Sequence, residues 1–307
     1  MKSNAKVSVV VPFLNEEENL PELYRRVSAV FEKEPEEVRF VFVDDGSTDG
    51  SVQWLEKTRQ TDPRVGILRL SRNFGHQIAI TAGMDHADAD AVVIIDADLQ
   101  DPPEVIADLL AKWREGFEIV YAVRKSREGE TWLKKFLAAS FYRIFCRLAK
   151  VNVPMDTGDF RLVDRKVINA LKEVRELHRF MRGLTCWVGY RQGAVYYDRA
   201  ARKAGVTKYP VWKSLKLAFD AITSFSAAPL RWMTVLGALI ALSGFIQGVW
   251  TVFRRILYPE IFEPGWATVV ALILFLTGVQ LLCLGLVGQY ISRIFEESKK
   301  RPLYFLK

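Results

Sequence analysis

Ala91-Val92-Val93-Ile94-Ile95-Asp96-Ala97-Asp98-Leu99-Gln100-Asp101-Pro102-Pro103 is the stretch that decides the fold. Five apolar residues in a row, with no polar alternation, are the mark of a parallel strand covered on both faces. Acids follow at its carboxyl end, and the two prolines open a helix. In an open α/β sheet, ligands bind outside the carboxyl ends of the strands, so these acids are candidates. Asp96 and Asp98 are two apart, and in an extended chain such residues share a face. With Gln100 they form an oxygen-only set, suited to Mg²⁺ or Mn²⁺ and unsuited to zinc. A competing reading is that the acids cap the helix near Pro102. That accounts for Asp101 well and for Asp96 poorly.

Working outward, the same alternation repeats. Apolar runs at residues 7–11, 40–43, 65–70 and 117–123 read as further strands. Between them, residues 16–31, 51–58, 75–86 and 102–113 carry helical signals, with Asp49 or Ser51 as the cap of the second helix. The whole is an open α/β sheet of parallel strands. The first strand ends in Pro12, with Asn15 and Glu16 just beyond, and the glutamates there suit a helix N-terminus. The second ends Asp44-Asp45-Gly46-Ser47-Thr48-Asp49. Turn chemistry accounts for Gly46, Ser47 and Asp49 but not for two adjacent carboxylates, which can accept from a ribose hydroxyl or a base N–H. Neither G-x-G-x-x-G nor a P-loop is present, and the first βα turn has no glycine. A diphosphate bound here would be held by metal and side chains.

The distal part of the chain is different. Residues 232–253 and 266–292 contain no Asp, Glu, Lys or Arg. As helices they would reach roughly 33 and 40 Å, enough for a bilayer core of about 30 Å. They are joined by a short loop and form a hairpin. Lysines and arginines flank both outer ends, which predicts that the main domain and both termini face the cytoplasm. Residues 131–150 mix Trp132, Phe136 and Phe141 with Lys134, Lys135 and Arg143, the composition of a helix lying in the membrane interface. Residues 206–231 form a second, juxtamembrane candidate. Two polar clusters, 156–161 and 202–209, read either as solvated loops or as places where cations meet a lipid phosphate. No secretory leader is expected, and the three cysteines show neither disulfide nor zinc spacing. The net charge of +7 suits anionic lipid and phosphorylated substrate, and no nucleic-acid-binding pattern is found. Glycines in the apolar segments, such as Gly237, Gly244, Gly278 and Gly285, would permit close helix packing and a homo-oligomer.

The order P-F-L-N-E-E-E-N-L, V-D-D-G-S-T-D, R-N-F-G-H, D-A-D-L-Q-D-P-P-E, G-D-F-R-L, a Lys-Tyr motif and two terminal spans resembles family 2, GT-A-fold glycosyltransferases acting on polyprenyl phosphates. The bactoprenol glucosyltransferases look closest, with dolichyl-phosphate mannose synthase related. The resemblance implies inverting transfer of a hexose, best glucose from UDP-glucose, to an undecaprenyl or dolichyl phosphate at the cytoplasmic membrane face. UDP-sugars are favoured over GDP-sugars. It implies Asp96, Asp98 and Gln100 as metal ligands and Pro12, Asn15, Glu16, Asp44 and Asp45 as the nucleoside pocket. Asp159 is the candidate catalytic carboxylate, and Arg124, Arg161, Arg202 and Lys208 are phosphate binders. A phosphate monoester is mostly dianionic at pH 7 and needs little deprotonation, so Asp159 is expected either as a base or as a group that orients a cation or the sugar hydroxyls. The expected organisation is a nucleotide-sugar domain at 1–130, an acceptor-side part at 131–205, a juxtamembrane helix at 206–231, two spans within 232–292 and a cytoplasmic tail at 293–307. A processive polysaccharide synthase is disfavoured, because Ala228 stands where its Q-x-x-R-W motif needs glutamine and two spans cannot enclose a channel. A non-catalytic nucleotide-sugar-binding membrane module is disfavoured because the metal set is intact.

Overall fold

The computed structural model describes residues 5–124, 157–198, 228–257 and 265–307. The segments expected as an interface helix (131–150) and as the juxtamembrane helix before residue 228 lie outside the described residues, as do Arg202 and Lys208. The chain divides into two compact units, Met1–Trp212 with Pro302–Lys307, and Lys213–Arg301.

The first unit is built on a seven-stranded sheet of order β3-β2-β1-β4-β6-β5-β7. Its strands are β1 (Lys6–Phe13), β2 (Glu37–Asp44), β3 (Val65–Arg69), β4 (Ala91–Ile94), β5 (Ile119–Arg124), β6 (Thr157–Asp164) and β7 (Gln192–Tyr197). The helices are α1 (Leu20–Phe31), α2 (Ser51–Thr61), α3 (His76–His86), α4 (Val105–Arg114), α5 (Arg165–Glu173) and α6 (Met181–Trp187). β1 pairs in parallel with β2 and β4, and β2 with β3. The apolar runs of β1, β2 and β4 are buried because helices cover them. α1 turns Leu20, Leu23, Val27, Val30 and Phe31 inward, and α4 turns Val105, Ile106, Leu109, Leu110 and Trp113. α3 lies so close to β1 that a Cβ on Gly83 would stand 2.3 Å from Val10 Cγ1.

The sheet is not wholly parallel. β6 runs antiparallel between β4 and β5, with Ile94 opposite Arg161 and Tyr121 also opposite Arg161. All eight of its residues are buried. The polar cluster 156–161, which from sequence reads either as a solvated loop or as a place for cations, is from Thr157 onward part of an interior strand. Its polar side chains hide it from any hydropathy pattern. Asp164 closes the strand and starts α5, accepting from Lys166 N at 3.0 Å and from Trp113 Nε1 at 2.8 Å.

The second unit holds α7 (Ala228–Leu257) and α8 (Trp266–Ser298). Each contains a stretch long and apolar enough to cross a membrane, and neither stretch is buried within the protein. Exposed Phe245 and Leu282 show what an aqueous environment would have to hydrate.

Candidate active site

The carboxyl ends of β1 and β2 are joined by a network of short polar side chains. Asn15, in the left-handed region at φ 57°, donates its N–H to Ser47 Oγ at 3.0 Å and accepts from Thr48 N at 2.8 Å. Glu16 N donates to Ser51 Oγ at 3.0 Å, and Asp49 Oδ1 accepts from Ser51 N at 3.1 Å. Asp44 accepts from Ser47 N at 2.7 Å. Gly46, at φ 89°, could not carry a side chain, since a Cβ there would lie 3.0 Å from Asn73 N. The expected nucleoside residues Pro12, Asn15, Glu16, Asp44 and Asp45 therefore do meet at one rim. Several of their polar atoms already shape that rim from within. Asp45 in particular is buried and receives Phe74 N at 2.7 Å and Gly75 N at 3.0 Å, which ties the 71–76 loop to β2. Burial pushes the Asp45 carboxyl above its usual range despite these two donors.

The antiparallel register of β4 and β6, continued two residues past Ile94 and Arg161, sets Asp96 across from Asp159. His76, at the start of α3, bridges them: its Nε2 lies 3.3 Å from Asp96 Oδ1 and 3.4 Å from Asp159 Oδ2. Burial would lower the imidazole's pKa, but the two carboxylates outweigh it and push it up to about 10. Asp159 is surrounded by donors. Arg182 contributes Nε at 3.1 Å and a second guanidinium nitrogen at 3.2 Å, a bidentate grip. Gln77 Nε2 donates at 3.1 Å and Arg161 at 3.4 Å. Burial raises the Asp159 pKa, yet Arg182, His76 and Arg161 together hold the carboxyl well below the ordinary range. A carboxylate so stabilised in its charged form is a poor proton acceptor. In this structure the Asp159 carboxylate holds His76, Gln77, Arg161 and Arg182 together.

Arg161 corrects an expectation. Its side chain is fully buried beneath Asp159, donating to Thr185 Oγ1 at 2.7 Å and to Gly158 O at 2.9 Å, with its guanidinium 5.4 Å from the Tyr121 ring centre. It points into the core and not toward a phosphate. Arg124, at the end of β5, donates to Tyr197 Oη at 3.2 Å and to Asp101 Oδ1 at 3.3 Å. Asp101 is thus an acceptor for Arg124 and Tyr197, neither of which sequence reading had joined to it.

The oxygen set beyond β4 also departs from expectation in shape. The strand ends at Ile94, and Leu99 adopts a left-handed conformation at φ 56°, so Asp96 and Asp98 do not lie in one extended segment. Asp98 Oδ1 accepts from Gln100 N at 3.1 Å inside this turn. Among the described residues, no three His, Cys, Asp or Glu side chains form a metal-binding group. A site of this kind would be completed by substrate phosphates, as Mg²⁺ sites commonly are. Asp96 fits that role: its Oδ1 is buried at this rim, with the His76 imidazole 3.3 Å away.

Sequence reading missed His76, Gln77 and Arg182. His76 sits in the R-N-F-G-H motif, which carried no assigned chemistry. Gln77 accepts from Met181 N at 2.9 Å as well as donating to Asp159, and so joins α3 to α6. Arg182 lies on α6, 23 residues from its partner, and no local pattern announces it.

Residues 8–172 match the model of the glycosyl transferase family 2, and residues 228–294 match the GtrB C-terminal hairpin. A Bacillus subtilis glycosyltransferase, YkcC, is 47% identical, with the alignment covering 100% of this chain and 95% of that protein. A bactoprenol glucosyl transferase of Shigella phage SfV is 41% identical across 98% of this chain and 98% of its own length. Among solved structures, glucosyl-3-phosphoglycerate synthase from Mycobacterium tuberculosis aligns at 18% identity and TM-score 0.49, over 72% of this chain and 78% of that one.

Proposed function

The chain belongs to glycosyl transferase family 2 and ends in a GtrB-type hairpin, and from that premise we propose that it moves glucose from UDP-glucose to a polyprenyl phosphate. The observation that carries the reading is the meeting, at one sheet rim, of an acid paired with His76 (Asp96) and a carboxylate ringed by cations (Asp159). Such a rim can hold both a diphosphate-bound cation and an incoming phosphate. The 41% identity to a bactoprenol glucosyl transferase, which runs through the hairpin as well as the sheet, supports the lipid acceptor.

In this reading Pro12, Asn15, Glu16, Asp44 and Asp45 line the nucleoside pocket. Asp96, Asp98 and Gln100 would hold Mg²⁺ or Mn²⁺, which would neutralise the leaving diphosphate and act as a Lewis acid. Arg124, and from sequence alone Arg202 and Lys208, would bind phosphate. A phosphate oxygen of the acceptor forms a bond to the anomeric carbon as the bond from that carbon to the UDP oxygen breaks. Attack from the opposite side inverts the configuration. The acceptor arrives largely as a dianion, so no base is required. The harder task is to bring that dianion close to a diphosphate among carboxylates. His76 and Arg182, fixed by Asp159, supply positive charge at that place. Asp159 is the positioning acid for both.

The hairpin would anchor the catalytic unit beside an acceptor that cannot leave the bilayer, with that unit and both termini on the cytoplasmic side and with residues 131–150 at the interface. The domain limits read from sequence, 1–130, 131–205, 206–231, 232–292 and 293–307, stand as a proposal beside the two units of the fold, in which one sheet joins the first two segments and Pro302–Lys307 lies with it; the glycines of the spans would permit a homo-oligomer. The test is a panel assay. Purified full-length protein with Mg²⁺ or Mn²⁺, undecaprenyl phosphate and each of several UDP- and GDP-sugars is read by the mass of the lipid product. A single hexose added only from UDP-glucose is expected. A polymer, or no lipid product with any donor, would overturn the proposal.

A further inference from the structure

The last six residues, Pro302–Lys307, belong to the sheet unit and not to the helical one. They lie against the carboxyl end of β3, the edge strand of the sheet. Leu306 pairs antiparallel with Leu70. Ser71 N donates to Phe305 O at 2.8 Å, and Lys307 N donates to Arg69 O at 2.9 Å. Leu70 N meanwhile donates inward to Asp44 O at 2.9 Å, so the segment leaving β3 is held from both sides. A second hold lies at the far end of α3. Tyr304 Oη donates to Asp85 Oδ2 at 3.0 Å, and its ring lies 6.0 Å from that of His86.

Between these two holds lies everything in residues 71–86 that the site uses. Asn73 packs under Gly46, Phe74 and Gly75 donate to Asp45, and His76 and Gln77 reach Asp159. Arg69, whose carbonyl the tail engages, also faces Asp44 at 3.8 Å. An edge strand left bare would offer unpaired backbone groups to any other chain. Here Lys307 N and Phe305 O engage two groups at its end, Arg69 O and Ser71 N.

We propose that Pro302–Lys307 is a positioning segment of the active site, a short backbone clasp that fixes the 71–86 segment and through it Asp45, His76 and Gln77. The pairing is made by backbone groups, so the identity of the side chain at Phe305, which is exposed, matters little. The kinetic arm of the test rests on the glucosyl-transfer reading; the exchange arm does not.

In the exchange arm, hydrogen exchange is followed in the full chain and in a chain ending at Arg301. The Ser71 amide of the full chain is expected to exchange at least about 100-fold more slowly than an unstructured amide. The Phe74 and Gly75 amides are expected to lose at least about tenfold of their protection on truncation. A freely exchanging Ser71, or Phe74 and Gly75 unchanged in the truncated chain, would overturn the proposal. In the kinetic arm, the KM for UDP-glucose is expected to rise about fivefold or more on truncation and to stay within about twofold in Phe305→Ala. A merely stabilising tail would alter the amount of folded enzyme and leave KM in place. A truncated, folded enzyme with KM within twofold of the full chain would refute positioning. Should truncation prevent folding, Lys307→Pro in the full chain removes one of the two pairing donors, and the same exchange readout at Phe74 and Gly75 decides.

Discussion

Replacing Asp159 by Asn separates an anchor from a base. The change keeps the shape of the side chain and removes its charge. Arg161 lies fully buried under it, and its other acceptors, Thr185 Oγ1 and the carbonyls of Gly158 and Met181, are neutral. Asp159→Asn therefore leaves a buried guanidinium without its counter-charge, a defect that costs about 3–5 kcal/mol. For a unit of this size that corresponds to a fall in Tm of roughly 6–20 °C. Arg182 and His76 also lose their shared partner, so transfer should fall sharply. The double variant Asp159→Asn/Arg161→Met removes the stranded charge and should recover at least about half of the lost stability. The assay is thermal unfolding of the detergent-solubilised full chain, with lipid-product turnover measured alongside. The sign of the pH dependence follows from the depressed folded pKa. Stability from this group is fully present above its unfolded pKa near 4 and is lost as pH falls through the lower folded value. No limb of the rate profile between about pH 5 and 8 should belong to Asp159. The reasoning fails if Asp159→Asn melts within about 2 °C of the parent, or if the double variant melts no higher than the single one.

Asp98→Ala should abolish transfer while the chain still folds, because its carboxylate lies half-buried in the turn beyond β4 and outside the apolar core. Full turnover of that variant, or turnover in EDTA equal to that in Mg²⁺, would remove Asp98 from the cation site. Gly83→Ala places a methyl 2.3 Å from Val10 Cγ1, where α3 approaches β1. Overpacking of this kind costs about 1–3 kcal/mol, readable as a lowered denaturant midpoint, and an unchanged midpoint would show that α3 can shift freely. Arg182→Lys exchanges a bidentate fork for a point charge. It should cut turnover at least about tenfold with donor affinity nearly kept, and equal turnover would mean that the fork does not matter.

The amino-acid order alone settled the alternation of strands and helices, the acids at the carboxyl ends of β1, β2 and β4, and the two spanning-length helices. Those features are local: unbroken apolar runs such as residues 91–95 and long uncharged stretches announce themselves wherever the chain places them. The inward strand β6 could not be read this way, because its aspartates and arginine look soluble until Asp159 and Arg161 are seen to satisfy one another inside the sheet. His76 and Arg182 reach Asp159 only because the sheet order sets β6 beside β4 and α6 carries Arg182 back from 23 residues away. Arg161 reads as a phosphate ligand in the motif and becomes a core residue in the fold, since burial, and not residue type, determines what a cation can reach. The same holds for the chain's end. Pro302–Lys307 looks like a tail in sequence, and only the fold brings it against the end of β3, where Leu306 bridges to Leu70.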